Sequence, residues 1–141
     1  MVEISAISQI CLVHHLRRAA RAASQKLDRA LAPLGLQASQ FTVLCALAAA
    51  DTVTAGDLAR QLAMERSTLN RNLGPLTQAG WVSATGGRGR RGLTLTLTPQ
   101  GRELLGDATD SWRAVQREIA DKIGPSEAGR LLSVLELACT A

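Results

Sequence analysis

Apolar residues recur every three or four positions along most of this chain, and the places where that rhythm stops divide it into elements. Over residues 4–34 the stripe runs through Leu16, Ala20, Ala23, Leu27, Leu31 and Leu34, with Arg17, Arg18, Arg21 and Lys26 elsewhere on the cylinder. One helix is predicted there, closed by Pro33 and Gly35. A second, over about 38–50, carries Phe41, Leu44 and Leu47 on one face, and Asp51-Thr52-Val53 reads as a break. Thr54 is placed to cap a short helix reaching about residue 62, with Asp57 three residues on in capping-box position and Leu58 and Leu62 facing inward. A turn through Ala63-Met64 leads into a helix that starts near residue 65. Leu69, Leu73 and Leu76 form its inner face, and Gly80 stops it. Pro75 cannot donate to the carbonyl of Arg71, so a kink or loosening is expected inside that helix.

The period then switches to two. Leu93, Leu95 and Leu97 alternate with Thr94 and Thr96, which is a strand with leucines on one face and threonines on the other. Residues 81–85 read as its hairpin partner, and the tip between them, GGRGRRG at 86–92, sets Arg88, Arg90 and Arg91 among glycines that free the backbone and keep bulk low. Thr98 and Pro99 end the strand and open a long helix as N-cap and first helical residue. That helix, about 99–122, carries Leu105, Ala108, Trp112, Val115, Ile119 and Ile123 in a near-heptad stripe that calls for a partner helix. A last helix over 125–138 carries Leu131, Leu132 and Leu135. The two short helices joined by a tight turn make a helix-turn-helix pattern, which any two adjacent short helices can also give.

Composition narrows the classes. A chain of 141 residues that is 46% apolar has the size of one domain with a real core. Trp81, Trp112 and Phe41 are its only aromatics, so Leu, Ala, Ile and Val must build that core, which suits packed helices. The apolar run LCALAAA at 44–50 falls far below the ~20 residues that span a bilayer. MVEISAISQI lacks the basic start and apolar run of a signal peptide, so a soluble cytoplasmic protein is expected. Cys11, Cys45 and Cys139 are odd in number and far apart, with no CxxC pair, and reduced thiols are expected.

The net charge of +4 is uneven. Between Arg60 and Arg91 lie six arginines (60, 66, 71, 88, 90 and 91) against one acid, Glu65, for a net +5, so the remainder sums to −1. Positive charge gathered in one segment points to a polyanion, although a charge run also fits a plain solvated face. A helix entering the major groove presents its N-terminal residues to base edges. Here those are Ser67, Thr68, Asn70 and Arg71, turned away from Leu69 and Leu73. Arginine pairs in two-pronged fashion with guanine and asparagine with adenine, whereas Arg66 and Arg60 suit phosphates. Ser67 and Thr68 also fit simple helix-start chemistry.

In this order of elements the chain resembles the MarR family of winged-helix transcription regulators. The most specific stretch, GRRGLTLTLTPQG at 89–101, resembles the family's wing signature: Arg91, Leu97, Thr98 and Gly101 match it, and Gly89 stands where the family usually has an acid. LARQLAMERSTLNRNLGPLTQAGWV at 58–82 resembles its helix-turn-helix. The resemblance implies one mainly α domain with a small two-stranded β wing. Residues 37–98 would be the winged helix-turn-helix lobe, and 1–36 with 99–141 the long dimerisation helices. It further implies a homodimeric repressor on near-palindromic double-stranded DNA, with Arg88, Arg90 and Arg91 reaching for the minor groove, released by a small aromatic effector.

The stripe of Leu105, Trp112, Val115 and Ile119, with Leu131 and Leu135, is the expected dimer surface; an intramolecular core is its alternative reading. One branch of the family senses oxidants through a cysteine on the first helix. Cys11 lies there, and His14 or His15 as an imidazolium would lower its thiol pKa, but the chain has no tyrosine for that branch's supporting network. Cys11, His14 and His15 cannot easily converge on one ion, so no metal or other cofactor is expected. No Ser, His and Asp placement or phosphate-cradling glycine loop suggests an enzyme. The competing class is a helical interaction module whose basic hairpin meets an acidic protein surface.

Overall fold

The described residues, 3–87 and 92–140 of a computed structural model, form seven α-helices, one 3-10 turn and three short strands. The chain begins with α1 (Ile4–Ile10) and α2 (Leu12–Leu31), where one helix is expected. Cys11 divides them with an extended backbone, φ −77° and ψ 110°. Its N–H donates to the Ile7 carbonyl and its own carbonyl accepts from His15 N, so it closes one helix and opens the next. A break of one residue leaves both flanks helical, so periodicity alone does not reveal it.

α3 (Ala38–Ala50) is the centre of the fold. Seven of its thirteen residues are buried, among them Phe41, Val43, Leu44 and Leu47, and it packs against α2 and four further elements. A helix apolar on most sides must be surrounded. Its start is held by a capping box, Gln37 N–H donating to Gln40 Oε1 at 3.0 Å, and by Asp28 Oδ1 accepting from Ala38 N at 2.6 Å. Beneath it come β1 (Thr52–Thr54), α4 (Ala55–Gln61) and α5 (Arg66–Gln78), followed by β2 (Val82–Gly86), β3 (Leu93–Leu97), α6 (Pro99–Ile123) and α7 (Pro125–Cys139). Leu31, Leu44, Leu58, Leu69, Leu76 and Leu95 are fully buried and join α2, α3, α4, α5 and β3 in one core. Each contributes about 1.5–3 kcal/mol by leaving water.

The sheet is antiparallel in the order β1-β3-β2, with Val53 and Ala84 both opposite Leu95. Its third strand occupies the segment that reads as a break. Three residues are too few to show alternation, and β1 exists because β3 offers it a free edge. β2 starts one residue later than expected because Trp81 belongs to the stop of α5. There Gly80, at φ 79°, donates to Thr77 O and Trp81 N donates to Leu76 O, a Schellman closure. α5 itself continues through Pro75 to Gln78: one missing internal bond does not interrupt it.

α6 lies along α2 and α3. Ala108 and Val115 are buried, and Leu105 and Trp112 pack against the shared core, while Ile119 is half-buried beside Ala23. The stripe expected to meet a second copy is therefore covered over Leu105, Trp112 and Val115 by this chain's own helices. α2 and α3 are the partners its spacing called for. Lys26 of α2 meets Glu118 of α6 at 2.5 Å, with Lys122 at 3.2 Å on the same carboxylate oxygen. α7 buries none of its residues; Leu131 is exposed and Leu135 half-buried. Among the described residues no single helix is long and apolar enough to cross a membrane.

Candidate nucleic-acid interface

Local chemistry builds the interface from α4 onward. Thr54 caps α4 by accepting from Asp57 N at 3.1 Å, and the Asp57 carboxylate pairs with Arg60 one turn on. The chain then turns at Ala63, which adopts a left-handed φ of 49°, and Met64 N closes the turn on Ala59 O at 2.9 Å. α5 follows with Glu65 at its N-cap and no side-chain cap, so its first N–H groups face outward without a partner from that side chain.

One face of α5 is fixed by Leu69, Leu73 and Leu76, and by a polar residue that periodicity passed over. Asn72 is buried on the same side, three residues after Leu69. Its amide donates to Thr68 O at 3.0 Å and its oxygen accepts from Ser39 Oγ of α3 at 2.8 Å. A polar residue at the inward position between Leu69 and Leu73 was the signal available in the sequence.

The opposite face carries the residues expected to read DNA. Arg66, Ser67, Asn70 and Arg71 are exposed, and Thr68 is half-buried with its hydroxyl accepting from Arg71 Nη2 at 3.3 Å. Arg66 turns back over α4: its Nη1 lies 3.3 Å from where a Cβ on Gly56 would stand. Ser67, Asn70 and Arg71 thus share the outward face, with Arg66 and Arg60 flanking the elbow.

The wing's tip arginines, Arg88, Arg90 and Arg91, lie outside the described residues. Its root is described and is tightly built. Thr98 Oγ1 donates to Gly80 O at 2.7 Å and accepts from Gly101 N at 3.0 Å, joining the end of α5 to the start of α6. A Cβ on Gly101 would overlap the Trp81 carbonyl oxygen and stand 2.7 Å from Leu97 Cδ1, so only glycine lets α6 sit this close to the strands. The sequence shows Gly101 as a motif position; its steric role becomes visible only in three dimensions.

Two further features lie away from this face. A cleft of about 590 Å³ opens between α2, α3 and α6. Leu27, Phe41, Ala48, Leu105 and Trp112 form its apolar walls, and Thr42, Cys45, Thr109 and Gln116 its polar rim. Cys45 is exposed at the cleft, and partial desolvation pushes its thiol pKa up. Cys11 is half-buried at the α1–α2 junction, while His15 Nε2 lies 3.0 Å from Gln9 O and the two histidine rings meet edge-on at 5.5 Å. Among the described residues no three His, Cys, Asp or Glu side chains are grouped to hold an ion.

A helix-turn-helix followed by a three-stranded antiparallel sheet, with β2 packed against its second helix, defines the winged helix-turn-helix class. The model of the MarR family matches residues 34–91, from the 3-10 turn after α2 to the hairpin tip before β3, and this stretch is similar to that family. The HTH-type transcriptional regulator YwoH of Bacillus subtilis (strain 168) is 30% identical over 89 residues, 63% of this chain. That match covers 65% of YwoH, so the chain spans just under two thirds of that relative's length. The M. tuberculosis transcriptional regulator MosR, solved in complex with DNA, is 35% identical, with a TM-score of 0.76 over 91% of this chain and 96% of its own. The transcriptional repressor CouR, solved bound to p-coumaroyl-CoA, is 25% identical, with a TM-score of 0.80 and 96% of each chain covered.

Proposed function

We propose that this protein is a sequence-specific transcription regulator that binds double-stranded DNA as a homodimer and represses until a small molecule enters the α2–α3–α6 cleft. The observation that carries the DNA reading is the division of α5 into two faces. Leu69, Asn72, Leu73 and Leu76 lock one face to the core, and Ser67, Asn70 and Arg71 stand exposed on the other. A helix so held fits the width of the major groove, and its asparagine and arginine are the residue types that pair with adenine and guanine. MosR, the relative solved with DNA, supports the same partner for this lobe. Arg66 and Arg60 are assigned to phosphates, and Arg88, Arg90 and Arg91 to the minor groove, where narrow stretches hold enhanced negative potential.

Unpaired apolar surface supports the dimer. Ile4 is 87% exposed, Leu12 77% and Leu137 73%, with Ile10, Val13, Leu131 and Leu132 also exposed on α1, α2 and α7. That much exposed apolar surface on terminal helices marks an interface. The segments 1–36 and 99–141 then act as the dimerisation region, with Leu131 and Leu135 in it. Two-fold symmetry sets half-site centres ~34 Å apart. Light scattering should return twice the chain mass for the wild type and a lower mass for Leu132→Glu. CouR, a repressor solved with a bound small molecule, supports release by a ligand in the cleft.

The test is selection from a randomised duplex pool across a salt series, with wild type beside Arg91→Ala and Asn70→Ala. The expected result is an enriched palindrome, with weaker binding everywhere for Arg91→Ala and a blurred base position for Asn70→Ala. Salt-sensitive binding with no enriched sequence would leave only a general polyanion surface, as the interaction-module reading requires.

A further inference from the structure

We propose that the hydrogen bond from Ser39 to Asn72 sets the roll of α5, and thereby the bases that Asn70 and Arg71 meet. Ser39, on another helix, is then a positioning residue for sequence selection. This deepens the DNA reading above and rests on it. α5 packs against α3, α4 and β2. Leu69 and Leu76 are fully buried and Leu73 nearly so. Apolar contacts carry no direction, however, and leucines alone let a helix turn slightly about its own axis. Ser39 Oγ donates to Asn72 Oδ1 at 2.8 Å across 33 positions of sequence. Among the described residues this is the only side-chain hydrogen bond between α5 and another helix or strand.

Its place in α5 gives it leverage. Asn72 is 7% exposed and directly follows Arg71. Its Nδ2 donates to Thr68 O at 3.0 Å, and Thr68 Oγ1 accepts from Arg71 Nη2 at 3.3 Å. The turn that the amide grips is thus the one on which the Arg71 guanidinium rests. An α-helix with its side chains is ~10–12 Å across, and Asn72 and the outward groups stand at comparable distances from its axis. A roll that lengthens the Ser39 bond by ~1 Å carries the outward groups by about as much, out of the ~2.7–3.2 Å window in which a paired base contact survives. A leucine would bury at position 72 with no partner at all. Core packing does not call for an amide there, and fixing one arrangement among near-equal ones is the best-attested use of a buried polar group. Ser39 itself borders the cleft of about 220 Å³ between α2, α3 and α6, so it acts on the bases only through Asn72.

Equilibrium binding reads this on the duplex selected from the random pool, on its single-base variants and on a scrambled duplex. Wild type is set beside Ser39→Ala, Ser39→Thr and the double variant Ser39→Ala with Asn72→Leu. Replacing both partners by apolar groups removes the bond without orphaning either, so the double variant should melt near the wild type. Its preference at the base positions that Asn70→Ala and Arg71→Ala blur should nevertheless fall roughly fivefold or more, the low end of what one paired base contact confers. Affinity for the scrambled duplex, and its salt dependence, should stay near wild type. Ser39→Ala should show the same loss, and Ser39→Thr, which keeps the hydroxyl, should hold the preference. Wild-type preferences in either Ser39→Ala or the double variant would overturn the inference and leave the DNA reading standing. So would an equal loss on every duplex, the scrambled one included, because that is what a merely loosened fold does. A wild type that enriches no sequence sinks the DNA reading, and the inference with it.

Discussion

Gly101→Ala sets two effects of one methyl group against each other. Alanine is favoured over glycine inside a helix by about 1 kcal/mol. At Gly101 that gain meets a wall. The new Cβ would overlap Trp81 O, lie 3.0 Å from Trp81 C and 2.7 Å from Leu97 Cδ1. The leucine methyl can rotate away, but the Trp81 carbonyl is held in place, accepting from Thr98 N at 3.1 Å. Restoring ordinary contact requires α6 to move off the strand root, and overpacking of this kind costs about 1–3 kcal/mol or more. The net expectation is a loss of about 0–2 kcal/mol or more after the helix gain of about 1 kcal/mol is subtracted. Gly106, on the same helix, is the internal control: nothing lies within 4 Å of its Cβ position. Gly106→Ala should stabilise by about 0.5–1 kcal/mol. Urea unfolding followed by circular dichroism, at one fixed protein concentration because a dimer's stability depends on it, separates the two. Because Gly101 seats the wing, DNA affinity should fall in the first variant and hold in the second. Equal stability of the two variants, or a more stable Gly101→Ala, would refute the reasoning.

Three further expectations follow from particular contacts. Asn72→Ala should cost about 0.5–1.5 kcal/mol by removing the side-chain bonds to Ser39 Oγ and Thr68 O, and should weaken DNA binding by loosening α5; an unchanged melting temperature would show that these bonds do not hold the helix. Thr98→Ala removes both the cap of α6 and the tie to Gly80 O, with an expected loss of about 1–2 kcal/mol in the same unfolding assay. The third concerns pH. Lys26 first, then Lys122, holds the Glu118 carboxyl below the usual carboxylate range, and Glu118 chiefly raises Lys26. Glu118 therefore stabilises the fold above the unfolded carboxylate pKa and loses that contribution as pH falls through its lower folded value. Lys26 contributes fully below the unfolded lysine pKa and loses its part as pH rises through its higher folded value. Glu118→Gln should flatten both the acid and the alkaline flank of the stability curve; flanks parallel to the wild type would show that the pair is uncoupled.

Features that rest on neighbours along the chain are legible before any folding is considered. Thr54 capping toward Asp57, Gly80 stopping α5, Thr98 and Pro99 opening α6, and the leucine–threonine alternation of β3 all depend on residues within one turn or on the strand's own period of two. Such features are written in short windows, which is why the helix-turn-helix and its hairpin were legible before any packing was known. The outward placement of Asn70 and Arg71 followed from the same arithmetic, because leucines three and four apart define the buried face. Other features needed distant parts to meet. β1 is a strand only because β3 lies beside it, and the α6 stripe faces inward only because α2 and α3 come to cover it. Asn72 is an anchor because Ser39, on another helix, reaches it. Gly101 is obligatory because the carbonyl of Trp81 passes where a side chain would stand, and the uncharged cleft exists because three helices leave a space between them. Local propensity carries no record of such encounters: they depend on which surfaces the core brings together, and that is decided by packing over the whole chain.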